Sequence, residues 1–256
     1  MAPRTNVLIT GTKTGIGHGL LSLFASRPNT TIIAAIRDPP TSEIAASMVS
    51  SVTAIGTESR VIPVQYDASN HDSAQAMVRA LHTEHPEIEH LDLVIANAAM
   101  NTQWGPTATV NAEDLSNHLN INAIAPVMLY QATRALLLSA PADITPRFVL
   151  ISTIAASLES VPKIPFPVIA YALSKAAANY FIRKADDEED RLALLATHPG
   201  WVQTRKGNEV AERVGQEKAP MSVDECCEKL AVIFDEATKA GTGGTFQSVD
   251  GETLPW

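Results

Sequence analysis

The chain has 256 residues, of which 45% are hydrophobic and 18% charged, with a formal net charge of −9. This suits one large α/β domain with a full core, and it excludes a disordered chain and a nucleic-acid partner, which would need a basic face. The only cysteines, Cys226 and Cys227, are adjacent, so no disulfide framework or Cys-x-x-Cys metal site is expected and a reducing compartment follows.

Residues 1–4 lead straight into a strand-like run, leaving no room for a secretory leader, and no stretch approaches 18 uninterrupted apolar residues. A cytoplasmic protein with no membrane partner is the expectation. Short β-branched runs predict strands over 6–10, 30–36, 60–66, 91–96, 147–152, 192–197 and 244–248. Between them, helical periodicity covers 15–27, 41–52, 70–84, 112–139, 168–189 and 222–240. Alternation of this kind predicts a single doubly wound α/β domain over 1–256, with a seven-stranded parallel sheet covered on both faces. Its ligand crevice belongs at the carboxyl ends of the strands. The irregular stretches 97–111, 153–168 and 200–221 follow strands on that side and are candidates for substrate walls.

The first strand runs into Thr10-Gly11-Thr12-Lys13-Thr14-Gly15-Ile16-Gly17, which opens the first helix. Glycine there allows a tight turn and a close approach of a diphosphate to the backbone, and the helix start offers free N–H groups. At the tip of the second strand, where an acid would hold a ribose 2′-hydroxyl, stand Ile36 and then Arg37. A guanidinium suits a 2′-phosphate, with Lys13 as a second cation, so NADPH/NADP is the expected cofactor. The other reading is that Arg37 pairs with Asp38 or another surface carboxylate.

Tyr171 and Lys175 lie one helical turn apart, which puts a phenol and an ammonium on one face. A neighbouring cation favours the phenolate, so the pair is expected to lower the tyrosine pKa and make a proton donor. Trp104, Phe166 and Trp201 fall in the three irregular stretches and are candidates for an aromatic substrate pocket or for loop anchors. His82, His85 and His90, with nearby glutamates, lack metal-ligand spacing, so no metal is expected. The acidic run 186–190 reads as a solvated helix end.

Taken together, the Thr10–Gly17 loop, Asp67, Asn97-Ala98-Ala99, Asn122, Tyr171 with Lys175, and Pro199-Gly200 with Thr204 resemble the short-chain dehydrogenase/reductase family over nearly the whole chain. The resemblance implies that Asp67 contacts adenine and that Asn97, Ala98 and Ala99 pack under the adenosine. It also implies that Lys175 bonds the nicotinamide ribose, and that Thr204 and the backbone near Val202 hold the carboxamide. It makes Tyr171 the proton donor to a carbonyl, Asn122 the anchor of a proton-refilling water (with Asn120 a competitor), and the family generally dimeric or tetrameric. The family's serine is replaced: Thr153 follows Ser152 at the end of the fifth strand, while Ser157 lies at a similar spacing from Tyr171. Thr153, Ser157 and Ser152 therefore remain alternatives for polarising the carbonyl. Arg205-Lys206 stands where an Asp-Met pair is common, and Ala99 where glycine is usual.

Residues 96–100, 177–180, 200–204 and 254–256 are similar to those of fungal norsolorinic acid ketoreductase-like proteins, which implies a ketone of the aromatic polyketide kind. Carbonyl reduction is the leading expectation. The alternatives are a non-catalytic NADPH-binding sensor or scaffold, and an alcohol-oxidising enzyme.

Overall fold

Every residue of Thr30–Ile36 (β2) is buried, as a strand sandwiched between two helical layers must be. Its bounds match the predicted strand, and so nearly do those of Thr5–Thr10 (β1), Arg60–Gln65 (β3), Leu93–Ala96 (β4), Arg147–Ile151 (β5), Ala193–His198 (β6) and Phe246–Ser248 (β7). In this computed structural model, which describes residues 4–256, the strand order is β3-β2-β1-β4-β5-β6-β7-β8. The added strand, Thr253–Leu254 (β8), pairs antiparallel with β7. Two residues are too few for a periodic signal, so the sheet has eight strands where seven were expected. Chain order reverses between β1 and β4, and the crevice opens at that switch point.

One face of the sheet is covered by Ser73–Glu84 (α3), Ala125–Leu138 (α5) and Ile169–Glu188 (α6), packed on Leu8, Ile33, Val94 and Leu150. The other carries Gly15–Ala25 (α1), Glu43–Ser50 (α2) and Val223–Glu236 (α8), packed on Val7, Ile9, Ile32 and Ile95. Cys226 and Cys227 are free and buried in this second layer, beside α1.

Three regions depart from the sequence expectation. The predicted helix over 112–139 is interrupted: Ala112–Leu119 (α4) leads through a π-helical turn, Asn120–Ile124, into α5. In that turn the Ala125 N–H reaches back five residues to the Asn120 carbonyl. Within 200–221 the chain forms a helix, Arg205–Arg213 (α7), of which Ala211 alone is buried. It carries almost no apolar stripe and was invisible to periodicity; it is started by Thr204, whose Oγ1 accepts from the Gly207 N–H at 3.0 Å.

The acidic run is the third departure. Asp186 is 7% exposed, pairs with Lys239 Nζ at 2.7 Å and accepts from the Leu194 N–H at 2.9 Å. Glu189 is 6% exposed and binds Arg134 and Tyr130. These two acids anchor the end of α6 to β6 and α5, and their partners lie 8 to 59 residues away, out of reach of a local reading.

Candidate functional site

A cavity of about 630 Å³ runs along the carboxyl ends of the strands, from Arg37 and Asp67 at one end to Tyr171 and Lys175 at the other. Its floor is the glycine loop. Gly11 has φ +72°, a conformation that disfavours any side chain. Gly17 lies directly beneath it: a Cβ there would stand 2.3 Å from the Gly11 carbonyl oxygen and 2.5 Å from Asn97 Nδ2. Asn97 in turn donates to the Thr10 and Gly11 carbonyls at 2.8 and 3.3 Å. The Asn97 and Ala98 N–H groups both donate to Thr10 Oγ1 at 3.0 Å. Thr10 was not singled out from the sequence; its place at the strand end just before Gly11 was the available signal.

This backbone cradle, followed by the start of α1, fits a dinucleotide diphosphate. Lys13, Thr14, Ile16, Ala98 and Ala99 line the same cavity. Gly15 instead packs against Thr204, and Gly200 against Met221 and Val249. Val202 is 4% exposed and bridges to Met221. These three shape the site from behind, while Pro199 and Thr204 reach its wall. At the far end, Lys13 pairs with Asp38 at 3.6 Å. Arg37 is exposed, and among the described residues its guanidinium has no ion-pair partner. Asp67 accepts from the N–H and Oγ of Ser69 at 2.9 and 2.8 Å, and these bonds hold its carboxyl below the usual range and anionic.

At the other end, α6 presents Tyr171 and Lys175 to the cavity, as their spacing predicts. Their electrostatics differ from expectation. Burial pushes the Tyr171 phenol up to about 12 and the Lys175 ammonium down to about 7. Each loses hydration on burial, and the uncharged form of each gains. The lysine Nζ is turned to the Ile151 carbonyl at 2.7 Å. The expected depression of the tyrosine pKa by the lysine is therefore absent here; the phenol remains protonated.

Asn122, wholly buried in the π turn, accepts from the Met100 N–H at 2.8 Å. Its Nδ2 donates to the Met100 carbonyl at 2.8 Å and to Ser174 Oγ at 3.0 Å. It thereby joins the loop after β4 to α6. The competing Asn120 faces Ser69 and His71.

Of the three hydroxyls, Ser157 is fully buried and accepts from the Ser160 N–H at 3.3 Å. Ser152 lines the cavity but donates its proton to Asn179 Oδ1 at 2.6 Å. Thr153 is half-buried, and its Oγ1 accepts from the Ala155 N–H at 3.2 Å, which leaves its proton free to donate.

The aromatic residues meet one another. Phe166 lies 6.2 Å from Trp104 and 5.8 Å from Trp201, centroid to centroid. Arg213 of α7 sits 4.9 Å over the Trp104 ring, and Trp201 Nε1 donates to the Gly207 carbonyl at 2.9 Å. Gly105 also bridges to Val168. The three loops and α7 are thus clipped into one wall. The aromatics anchor these loops to one another and lie outside the cavity lining. Trp256 stacks on Phe246 at 5.7 Å, and its carbonyl accepts from the Leu158 N–H at 3.0 Å, which steadies the 153–168 loop.

The short chain dehydrogenase family pattern matches residues 5–215. The chain belongs to that family. It is a nicotinamide-dependent oxidoreductase built on a single Rossmann-type domain. It is 38% identical to the norsolorinic acid ketoreductase of Aspergillus parasiticus, over 98% of this chain and 91% of that one. It is 36% identical to a norsolorinic acid ketoreductase of Emericella nidulans, covering 99% and 94%. Among solved structures, the NADPH-bound carbonyl reductase from chicken fatty liver superposes with a TM-score of 0.85 at 24% identity, covering 99% and 95%. A carbonyl reductase of Pseudomonas aeruginosa gives 0.74 at 26%, covering 98% and 100%.

Two links in this short-chain dehydrogenase escaped the sequence reading. Met100 enters through its backbone, which leaves no side-chain signal. Asn179 stands eight residues after Tyr171 on the same helix, a spacing that marks the same face. Among the described residues there is no metal-ligand cluster.

Proposed function

We propose that this enzyme reduces a ketone to an alcohol with NADPH, and that the ketone is aryl or polyketide in kind. The observation that carries the reading is the continuity of one crevice from Arg37 to Tyr171. NADPH supplies the hydride when bound. Arg37 is suited to the 2′-phosphate, the loop from Gly11 to Gly17 to the diphosphate, and Asp67 to the adenine. Asn97, Ala98 and Ala99 support the adenosine half, and Pro199 and Thr204 border the carboxamide.

Tyr171, kept protonated by burial, donates its proton to the ketone oxygen as charge develops there. Lys175, near its midpoint at neutral pH, holds a ribose hydroxyl and returns the proton to Tyr171. Asn122 commits its side chain to Met100 and Ser174, so a water it anchors would use the backbone of the π turn. Thr153 is the assigned donor to the ketone oxygen, because its proton is free and it is only half-buried, whereas the Ser152 proton is engaged by Asn179 and Ser157 is fully buried. The substrate class is supported by the names of the fungal relatives.

A homo-dimer or homo-tetramer in the cytoplasm is the proposed state, and the exposed Leu173 and Tyr180, two turns apart on α6, suit a subunit contact. Tyr171→Phe should lower turnover of aryl ketones about a thousandfold while NADPH affinity stays within about twofold. Retained turnover would remove Tyr171 from its role.

A further inference from the structure

Asn179 lies one turn beyond Lys175 and two beyond Tyr171, so the three share a face of α6. Its 3% exposed side chain stands between the wholly buried Ala178 and Ile182. Asn179 Oδ1 accepts from Ser152 Oγ at 2.6 Å. Ser152 is the middle of Ile151-Ser152-Thr153, and both neighbours are in use. The Ile151 carbonyl accepts from Lys175 Nζ at 2.7 Å, and Thr153 carries the hydroxyl assigned to the ketone. One buried hydrogen bond therefore ties the helix bearing the acid to the strand end that seats the lysine and the threonine.

Holding an asparagine here is costly. Among the described residues its Nδ2 has no partner, and neither has Nδ1 of His198. His198 stands beside Ser152, because β5 and β6 pair Ile151 with Thr197 and the Ser152 N–H continues the ladder to the Thr197 carbonyl at 2.7 Å. Burial pushes His198 down to about 4, so it is neutral and brings no charge that Asn179 would answer. A buried unpartnered amide lowers stability, and a leucine of similar size would remove that loss.

We propose that Asn179 is a positioning residue which, through Ser152, sets the strand end that holds Lys175 and Thr153, at the expense of stability. This rests on the assignment of Tyr171 and Lys175 given above.

The test compares Ser152→Ala, Asn179→Leu and the double variant, reading Tm, kcat, ketone KM and NADPH affinity. Ser152→Ala leaves Asn179 Oδ1 without its donor, so Tm should fall. Asn179→Leu frees the Ser152 hydroxyl but removes the unpartnered Nδ2, so its Tm should stay nearer the parent value. In both, kcat should fall about tenfold. In the double variant neither member of the pair is left unpartnered, so Tm should return to the parent value or exceed it while kcat stays about tenfold low. KM and NADPH affinity should stay within about twofold throughout. Recovery of kcat together with Tm in the double variant, or parental kcat in either single variant, would overturn the proposal. Tyr171→Phe run in parallel separates the two claims. If it remains active, the proton-donor assignment has failed; if it is inactive while the double variant is fully active, only the positioning claim has.

Discussion

At the Gly11 end of the crevice the wall is backbone: two glycines in contact, an asparagine bonded to two main-chain carbonyls, and a threonine hydroxyl serving two N–H groups. Around Trp201, outside the cavity lining, the loops are held by side-chain surface: three rings and an arginine that clip together segments far apart in sequence. The first construction leaves no slack, because a backbone atom cannot move without moving its strand. The second can change shape one ring at a time. Under the proposed function that division would suit a fixed cofactor site beside an adaptable substrate side.

The largest expected effect tests the rigid end. Gly17→Ala would set a methyl 2.3 Å from a backbone oxygen, which should cost about 3 kcal/mol, or about a hundredfold in NADPH affinity by titration. A mild effect would show that the loop yields and would erase the contrast. Next, Arg37→Ala should weaken NADPH about tenfold to a hundredfold while NADH binding is unchanged, the loss expected of one charged hydrogen-bonding partner. Equal losses for both cofactors would move Arg37 away from the 2′-phosphate.

Lys175 marks the boundary between the two ends, and its protonation gives a third test. Its folded pKa of about 7 lies below the ordinary 10.5. Between those values the unfolded chain binds a proton that the folded chain does not. Stability without cofactor should therefore rise with pH across that window, with a slope approaching about 1.4 kcal/mol per pH unit from this one group. Tyr171, held up at about 12, acts oppositely only above its ordinary 10.0. Urea midpoints from pH 7 to 9 should thus climb more steeply in the parent than in Lys175→Met, and parallel curves would show the lysine charged in the fold. The smallest effect belongs to the adaptable end. Phe166→Leu removes two ring contacts that hold the loops together and should raise the ketone KM several-fold, about 1 kcal/mol in all, with NADPH affinity unmoved.

Legibility in the sequence follows the same division. Glycine reports geometry by its identity, so Gly11 and Gly17 could be read in place, and Tyr171 with Lys175 could be read because helical spacing is fixed. The β2 bounds were readable since a strand buried on both faces is apolar throughout. By contrast, α7 carries almost no buried face, and the partners of Asp186 and Glu189 come from distant elements. The protonation of Lys175 was illegible for a related reason. Its neighbour four residues back suggested an electrostatic pair, but the depth of burial, which decides the sign, is a property of the assembled layers.

The π turn at Asn120–Ile124 behaves as a gear between two shafts. The wider winding rotates α4 relative to α5, so α4 faces α6 while α5 faces α3. His118 accepts from the Thr102 N–H on one side of the turn, and Asn122 grips Met100 within it. Deleting one residue there would give a smoother, more regular helix and turn both grips out of phase with the loop they hold. In this chain, helical regularity and the hold on that loop pull in opposite directions at that one turn.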